Sequence, residues 1–381
     1  MHNRTWRDPA ETVAWVAATS DADPALFASR ESGEFWGTLR RLGVSLLVTR
    51  EYEHLLLALD AGGNNPDVSY LPMPHPSGLA VDLARGAVYV ACTRNPNQVV
   101  ALQPRGALVP ISTAVLPGRF YLHDLAIIGG RLHANAVGLN AVIRLDCDGA
   151  TTLAWWPRAV DSPEGPRTDR NYLQLNSIAA GATVDQSFFT ASSERISTRR
   201  PGHLNYPVDG RGVVFSGATR EPIARGLTRP HSARLHRGEV WLDNSGYGEL
   251  TVIRGGRPTV ACRLPGWTRG LCVIGDIAIV GTSRIIPRYR HYAPGLDPSH
   301  ARCGLHAVHT HTGQVLGSLI WPNGNQIFGI EAVPAGFTTG LPFRQGRDRE
   351  RRARATFYSF REPRRPTTAD TTATLTSRGT P

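Results

Sequence analysis

The chain has 381 residues and a formal net charge of +11, with 42 basic residues, all of them arginine, against 31 Asp and Glu. A chain this long can bury a full core without disulfide or metal staples, and with no lysine it has no Schiff-base nucleophile. No run approaches the ~18 apolar residues that a membrane-spanning helix needs, and no signal-peptide pattern follows Arg4, Arg7, Asp8 and Glu11. The expected setting is cytoplasmic, with no membrane partner.

Residues 1–43 differ from the rest. Asp23 before Pro24 is a helix start. Leu26, Phe27, Phe35, Trp36, Leu39 and Leu42 recur at helical spacing, which predicts one or two short helices. Residues 45–49, 54–59 and 68–71 then read as three strands.

From there a short phrase recurs six times: Ser77-Gly78-Leu79-Ala80-Val81, His123-Asp124-Leu125-Ala126-Ile127, Asn176-Ser177-Ile178-Ala179-Ala180, His231-Ser232-Ala233-Arg234-Leu235, Arg269-Gly270-Leu271-Cys272-Val273 and Phe328-Gly329-Ile330-Glu331-Ala332. Each is a small or polar pair followed by an apolar run. Further β-rich runs follow most copies, at 87–91, 98–102, 131–137, 141–146, 187–191, 212–216, 239–243, 249–253, 277–281, 304–309 and 314–320. The spacing lies near the roughly 40–50 residues of a propeller blade. The expectation is an all-β chain, a six-bladed β-propeller over 44–343, behind an N-terminal helical segment, 1–43. The last inner strand, 327–333, lacks partners of its own. It is expected to join the three N-terminal strands as the closing blade, which leaves no open seam.

Three connections are long: 157–173, 194–210 and 285–302. In an up-and-down blade they fall on one face of the ring, so function is expected at that mouth of the channel. The tail, 344–381, is rich in Arg, Thr and Pro and carries ten arginines against Asp348, Glu350, Glu362 and Asp370. It is expected to be largely disordered, above all at 367–381, with Phe357, Tyr358 and Phe360 as its candidate anchors. The cysteines, Cys92, Cys147, Cys262, Cys272 and Cys303, are odd in number without CxxC spacing, and read as buried free thiols in a reducing compartment.

The first residues of the phrases, Ser77, His123, Asn176, His231, Arg269 and Phe328, enter the channel mouth. His123, Asn176 and His231 come from successive blades and could hold a divalent transition metal, Zn, Fe or Mn. Asp124 would then be a further ligand or orient a histidine. Arg269 argues for an anionic small molecule instead, held by its guanidinium fork. His123 and His231, with Asp124, would then serve as acid and base. Ser77, Asn176 and Tyr247, the last in a tight turn at 244–248, are further candidate ligand contacts. The plain alternative is a polar, water-filled channel.

His306, His309 and His311 lie farther out, where a surface or interblade role is expected. Arg284, Arg288, Arg290, Tyr289 and Tyr292 could stack on a nucleotide or sugar, or bind nucleic acid, or form a solvated loop. Nucleic acid is not an expected partner, since all-arginine usage reads as genome composition. Nucleotide-binding glycine motifs, a nucleophile elbow and zinc-protease motifs are missing.

The stretches Leu122-His123-Asp124-Leu125-Ala126, Arg229-Pro230-His231-Ser232-Ala233-Arg234, Trp241-Leu242-Asp243-Asn244-Ser245-Gly246-Tyr247-Gly248, Pro265-Gly266-Trp267-Thr268-Arg269-Gly270-Leu271 and Asn325-Gln326-Ile327-Phe328-Gly329-Ile330-Glu331, with Leu46-Leu47-Val48-Thr49, resemble a family of bacterial conserved hypothetical proteins of unknown function over residues 25–340. The resemblance implies a six-bladed propeller and brings no catalytic residues. A more distant likeness is to the strictosidine synthase, lactonase and gluconolactonase propellers, which hold a divalent cation in the channel. That likeness rests on fold, which does not fix function. Two readings stand: a propeller binding a small molecule at its channel mouth, catalytic or not, and a non-catalytic platform for a protein partner.

Overall fold

The computed structural model describes residues 22–345, apart from 64, 95, 96, 147, 148 and the side chain at 288. The expectations for the tail beyond 345, for the first 21 residues and for Cys147 concern residues outside the described ones. The rest forms six sheets of antiparallel strands around one channel, a six-bladed β-propeller. The inner strands are Pro76–Asp82, Leu122–Ile128, Leu175–Ala179, Pro230–His236, Trp267–Ile274 and Ile330–Pro334, which head blades one to five and the closing blade. The four described cysteines are free thiols. No helix among the described residues is long and apolar enough to cross a membrane.

Both faces of each blade are buried against neighbours, so the strands read as nearly continuous apolar runs. Successive residues serve alternate interfaces. In the closing blade, Leu46, Val48, Leu55 and Leu57 pack toward blade five, while Leu47 and Leu56 pack toward blade one. One apolar cluster fills each of the six blade interfaces. Between blades two and three, the Trp155 and Phe189 rings stack with centroids 4.0 Å apart. Trp155 Nε1 also donates to the Gly217 carbonyl at 2.9 Å, satisfying the one polar atom it buries.

The second residue of each phrase explains why the repeat is small or polar. Around the ring it is Gly78, Asp124, Ser177, Ser232, Gly270 and Gly329. Neighbouring inner strands converge there. A Cβ on Gly78 would stand 2.5 Å from Asp124 Cα, and one on Gly329 would stand 2.8 Å from the Ser77 carbonyl oxygen. Where a side chain is present, it stitches one blade to the next. Asp124 Oδ2 accepts from Ile178 N at 3.0 Å, Ser177 Oγ from Ala233 N at 2.9 Å and Ser232 Oγ from Gly270 N at 2.8 Å.

The ring closes as the orphan strands require. Ile330–Pro334 pairs antiparallel with Val44–Arg50, in the register Ser45↔Val333 and Leu47↔Glu331. Thr49 Oγ1 donates to the Ser77 carbonyl at 2.6 Å and accepts from Gly329 N at 2.8 Å, so one hydroxyl ties both chain segments of this blade to blade one.

The N-terminal segment holds one α-helix, Phe35–Leu42, and a 3₁₀ turn, Pro24–Leu26, where Asp23 Oδ1 accepts from Ala25 N at 2.9 Å. Phe35, Trp36 and Leu39 bury against the cluster between blade five and the closing blade. An unforeseen strand, Arg30–Gly33, adds to the outer edge of blade five, and Phe343–Arg344 does the same for the closing blade. Arg30–Gly33 is exposed throughout and has no apolar alternation, so only edge pairing defines it.

Candidate functional site

The inner strands begin at one mouth of the channel, where a cavity of about 300 Å³ opens. Two registers of the repeat build its walls. The first phrase position supplies His123, His231, Arg269 and Phe328. The position two residues earlier supplies Tyr121, Gln174, Arg229, Trp267 and Gln326. Composition does not mark this earlier register, but the backbone does. His75, Tyr121, Gln174 and Arg229 have φ of 42°, 51°, 53° and 54°, a left-handed conformation that costs a residue with a Cβ and clusters at functional sites.

Two of the long insertions reach the cavity. Gly202 comes from 194–210, and Ile285, Ile286, Tyr289 and Tyr292 come from 285–302. The third, 157–173, does not line it. Glu51 and Tyr52 of the closing blade, Arg94 of blade one and Arg284 complete the rim. The Tyr52 and Tyr289 hydroxyls meet at 2.7 Å.

Arg269 and Arg229 dominate the electrostatics. Both are buried, 8% and 5% exposed, and among the described residues neither has a carboxylate ion pair. The Arg269 guanidinium carbon lies 3.3 Å from the Phe328 ring centroid, and that of Arg229 lies 3.7 Å from the Tyr292 centroid. With the Gln326 amide turned to satisfy both neighbours, it accepts from Arg269 Nη1 at 3.2 Å and donates to Glu51 Oε2 at 3.0 Å. Arg229 Nη1 donates to Ser192 Oγ at 3.3 Å. Arg269 Nη2 and Arg229 Nε are buried with no acceptor. Burial lowers both guanidinium pKa values, a measure of the cost of holding these charges here.

The histidines are held neutral. Burial first, then Arg269, pushes His123 and His231 well below the usual imidazole range. His231 Nδ1 lies 2.8 Å from the Arg229 carbonyl and 2.9 Å from Ser245 Oγ, whose own proton goes to the Thr268 carbonyl at 2.6 Å. A carbonyl only accepts, so Nδ1 carries the proton and Nε2 keeps its lone pair. The two imidazole centroids stand 6.5 Å apart.

The other candidates from the sequence fall elsewhere. Ser77 Oγ donates to the Ala91 and Leu122 carbonyls at 3.1 and 3.0 Å, and Asn176 Nδ2 donates to the Pro230 carbonyl at 2.9 Å. Both are interblade stitches behind the cavity wall. Asp124 faces away from the histidines. Its Oδ2 accepts from Arg234 Nη1 at 3.0 Å, and Arg234 Nη2 reaches Glu331 Oε1 at 3.1 Å, an ionic cluster in which Asp124 is buried and the other two are half-buried. Tyr247 lies outside the cavity, where its hydroxyl donates to Asp209 at 3.0 Å.

His306 is buried between Thr282 Oγ1 at 2.9 Å and Ser318 Oγ at 2.8 Å, and His311 pairs with Asp276 at 3.1 Å. Of the arginine–tyrosine loop, Arg284, Tyr289 and Tyr292 line the cavity. His123, Asn176 and His231 are brought close, but only the two rings reach the cavity. Among the described residues no three His, Cys, Asp or Glu side chains gather as a metal-holding group.

Several solved structures are similar to this chain. A chain of a nidogen/laminin complex superposes with TM-score 0.56 at 12% identity, over 77% of this chain and 99% of its own. A putative gluconolactonase matches at TM-score 0.46 and 18% identity, over 67% of this chain and 80% of its own. A gluconolactonase from Xanthomonas campestris matches at TM-score 0.45 and 17% identity, over 66% and 77%. At 12% identity the first of these likenesses shows the fold alone. No curated protein matches the sequence. A family model covers residues 33–339, and by that match the chain belongs to the family described as a domain of unknown function, DUF4915.

Proposed function

We propose that the channel mouth binds a small anionic molecule, its carboxylate or phosphate group held between Arg269 and Arg229. One observation carries the reading: two buried guanidinium groups line the cavity without a carboxylate ion pair among the described residues, and each keeps one N–H without an acceptor. Leaving a charge buried and unpaired costs several kcal/mol, on the order of 3–5, and a bound anion removes that cost. The aromatic walls, Tyr121, Trp267, Tyr289, Tyr292 and Phe328, supply apolar contact for the body of the ligand. His231 Nε2 is the acceptor, and the candidate general base, for a hydroxyl on that molecule. Burial first, and then the arginines' field, keeps His123 and His231 neutral, and that field also repels a cation, which weighs against a metal between the rings.

The test is calorimetric titration with inorganic phosphate, gluconate and other small carboxylates. Saturable binding in the wild type, weakened at least tenfold in Arg269→Met, supports the reading. Equal binding in that variant, or no binding by any of these anions, refutes it.

A further inference from the structure

A second basic cavity adjoins the first. It is lined by Arg94, Arg119, Arg170 and Arg200, with Asp169 as its one carboxylate among the described residues. Arg94 and Tyr121 line both cavities, so the two share a wall at the blade-one side of the mouth. Together the linings hold seven arginines against Glu51 and Asp169.

These arginines stand on loops that the core fixes in place. Asn97, buried at the start of a blade-one strand, donates to the Gly118 carbonyl at 2.9 Å and accepts from Tyr121 N at 2.8 Å. That clamps the short loop bearing Arg119 and Tyr121. Asn140 is fully buried and left-handed at φ 52°. Its amide nitrogen donates to the Arg167 and Arg170 carbonyls at 3.1 and 2.6 Å, and its oxygen accepts from Tyr172 N and Leu173 N at 2.7 and 3.1 Å. One side chain therefore sets the path of the insertion that carries Arg170. Arg200, from the insertion in blade three, docks on it by donating from Nη1 to the Asn171 carbonyl at 3.2 Å.

The carboxylates nearby are spoken for. Asp169 accepts from the Tyr172 hydroxyl at 3.0 Å and lies 3.5 Å from Arg170 Nε. Glu51 accepts from Thr93 Oγ1 at 2.7 Å. Arg119 has no carboxylate within ion-pair range among the described residues. Arg94 and Arg170 lie 3.6 and 3.5 Å from Glu51 and Asp169, but seven like charges on pinned loops against two carboxylates leave an excess that favours an anion.

We infer that this groove is a second anion subsite, so that the ligand is an elongated molecule with an anionic group at each end. The inference rests on the reading of the channel mouth. One group enters the buried Arg269–Arg229 site. The other lies in the Arg119–Arg170–Arg200 groove, and the body passes Tyr121 and Arg94. A sugar acid phosphate has this chemistry: a carboxylate, a hydroxylated spacer and a phosphate. Two sites engaged by one molecule act at high effective concentration, so affinity rises well beyond either end alone.

The probes are 6-phosphogluconate and its two single-anion relatives, gluconate and glucose 6-phosphate, titrated into the full chain. The expected result is at least thirtyfold tighter binding of 6-phosphogluconate than of either relative. In the exposed double variant Arg119→Gln/Arg170→Gln that advantage falls to a few-fold, while gluconate affinity stays unchanged. Arg269→Met weakens gluconate and 6-phosphogluconate alike. Equal affinities in the wild type, or an advantage untouched by the double variant, overturn the second subsite while leaving the inner site standing. Binding of none of the three at millimolar concentration overturns both.

Discussion

Arg269 carries an energetic conflict. Its guanidinium is buried against Phe328 and gives one hydrogen bond to Gln326 in place of an ion pair. Replacing such a charge by an apolar side chain of similar length removes a desolvation cost. Arg269→Met is expected to raise the unfolding free energy of the unliganded protein by about 1–2 kcal/mol. Chemical denaturation measures this. A loss of similar size would mean that the cation–π contact and the Gln326 bond outweigh the cost of burial.

His306 allows a clean pH experiment. Burial lowers its pKa to about 4, whereas an imidazole in the unfolded chain takes its proton near ~6.5. Between those values the unfolded state binds more protons. The stabilising contribution is therefore complete above the unfolded value and is lost as pH falls, by about 1.4 kcal/mol per pH unit. Half-buried Glu331, pushed up to about 7 by desolvation, acts with the opposite sign, its contribution being lost as pH rises toward that value. Comparing His306→Gln with the wild type cancels that background. The variant's stability should fall less steeply from pH 6 to 5, by about 1.4 kcal/mol per unit. Parallel slopes would show that His306 titrates alike in both states.

At the scale of elements, the connections matter more than the strands. Asn140 replaces water and secondary structure for four backbone groups of the 157–173 insertion. Asn140→Ala leaves those groups unpaired and keeps a left-handed backbone that alanine dislikes. A loss of about 2–4 kcal/mol follows, with early proteolytic cleavage within the insertion. An unchanged melting point and digestion pattern would assign the path of the insertion to other contacts.

The same scale explains what could be read from the sequence. The inner strands were legible because each begins with a small or polar pair that close approach demands, as Gly78 and Ser177 show. Their first residues were marked as a ring, and four of them do line the mouth. Ser77 and Asn176 were legible as members of the ring but not as stitches, because a hydroxyl or amide serves either task. Tyr121, Gln174, Arg229, Trp267 and Gln326 escaped notice. They differ in chemistry, and their shared property is a place at the entry to the inner strand, in the turn before it or, for Trp267, at its first residue. Outer strands such as Arg257–Arg263 escaped too, since one solvated face removes the apolar run.

For the whole molecule, ring closure passes through Thr49. Its hydroxyl holds Gly329 N and the Ser77 carbonyl at once. Thr49→Val keeps the shape and strands both partners in a buried site, so a cost of about 2–4 kcal/mol is expected. If unfolding remains a single transition, the loss should appear as a shifted midpoint with an unchanged denaturant slope. A separate early transition would instead show that the closing blade detaches on its own.

The stitches and the mouth occupy different residues of one repeat. Hydrogen bonds between blades use the second phrase position and, at Ser77 and Asn176, the first, while the cavity is walled by the other first-position residues and by the position two residues before. Ligand choice is thereby mechanically insulated from assembly. Codons 121, 174, 229, 267 and 326 can be diversified together, each blade presenting one exchangeable tooth, while the hub that holds the wheel together keeps its own letters. A combinatorial library at those codons should yield folded variants at high frequency and new ligand preferences at low frequency, with binding specificity drifting far faster than the propeller itself.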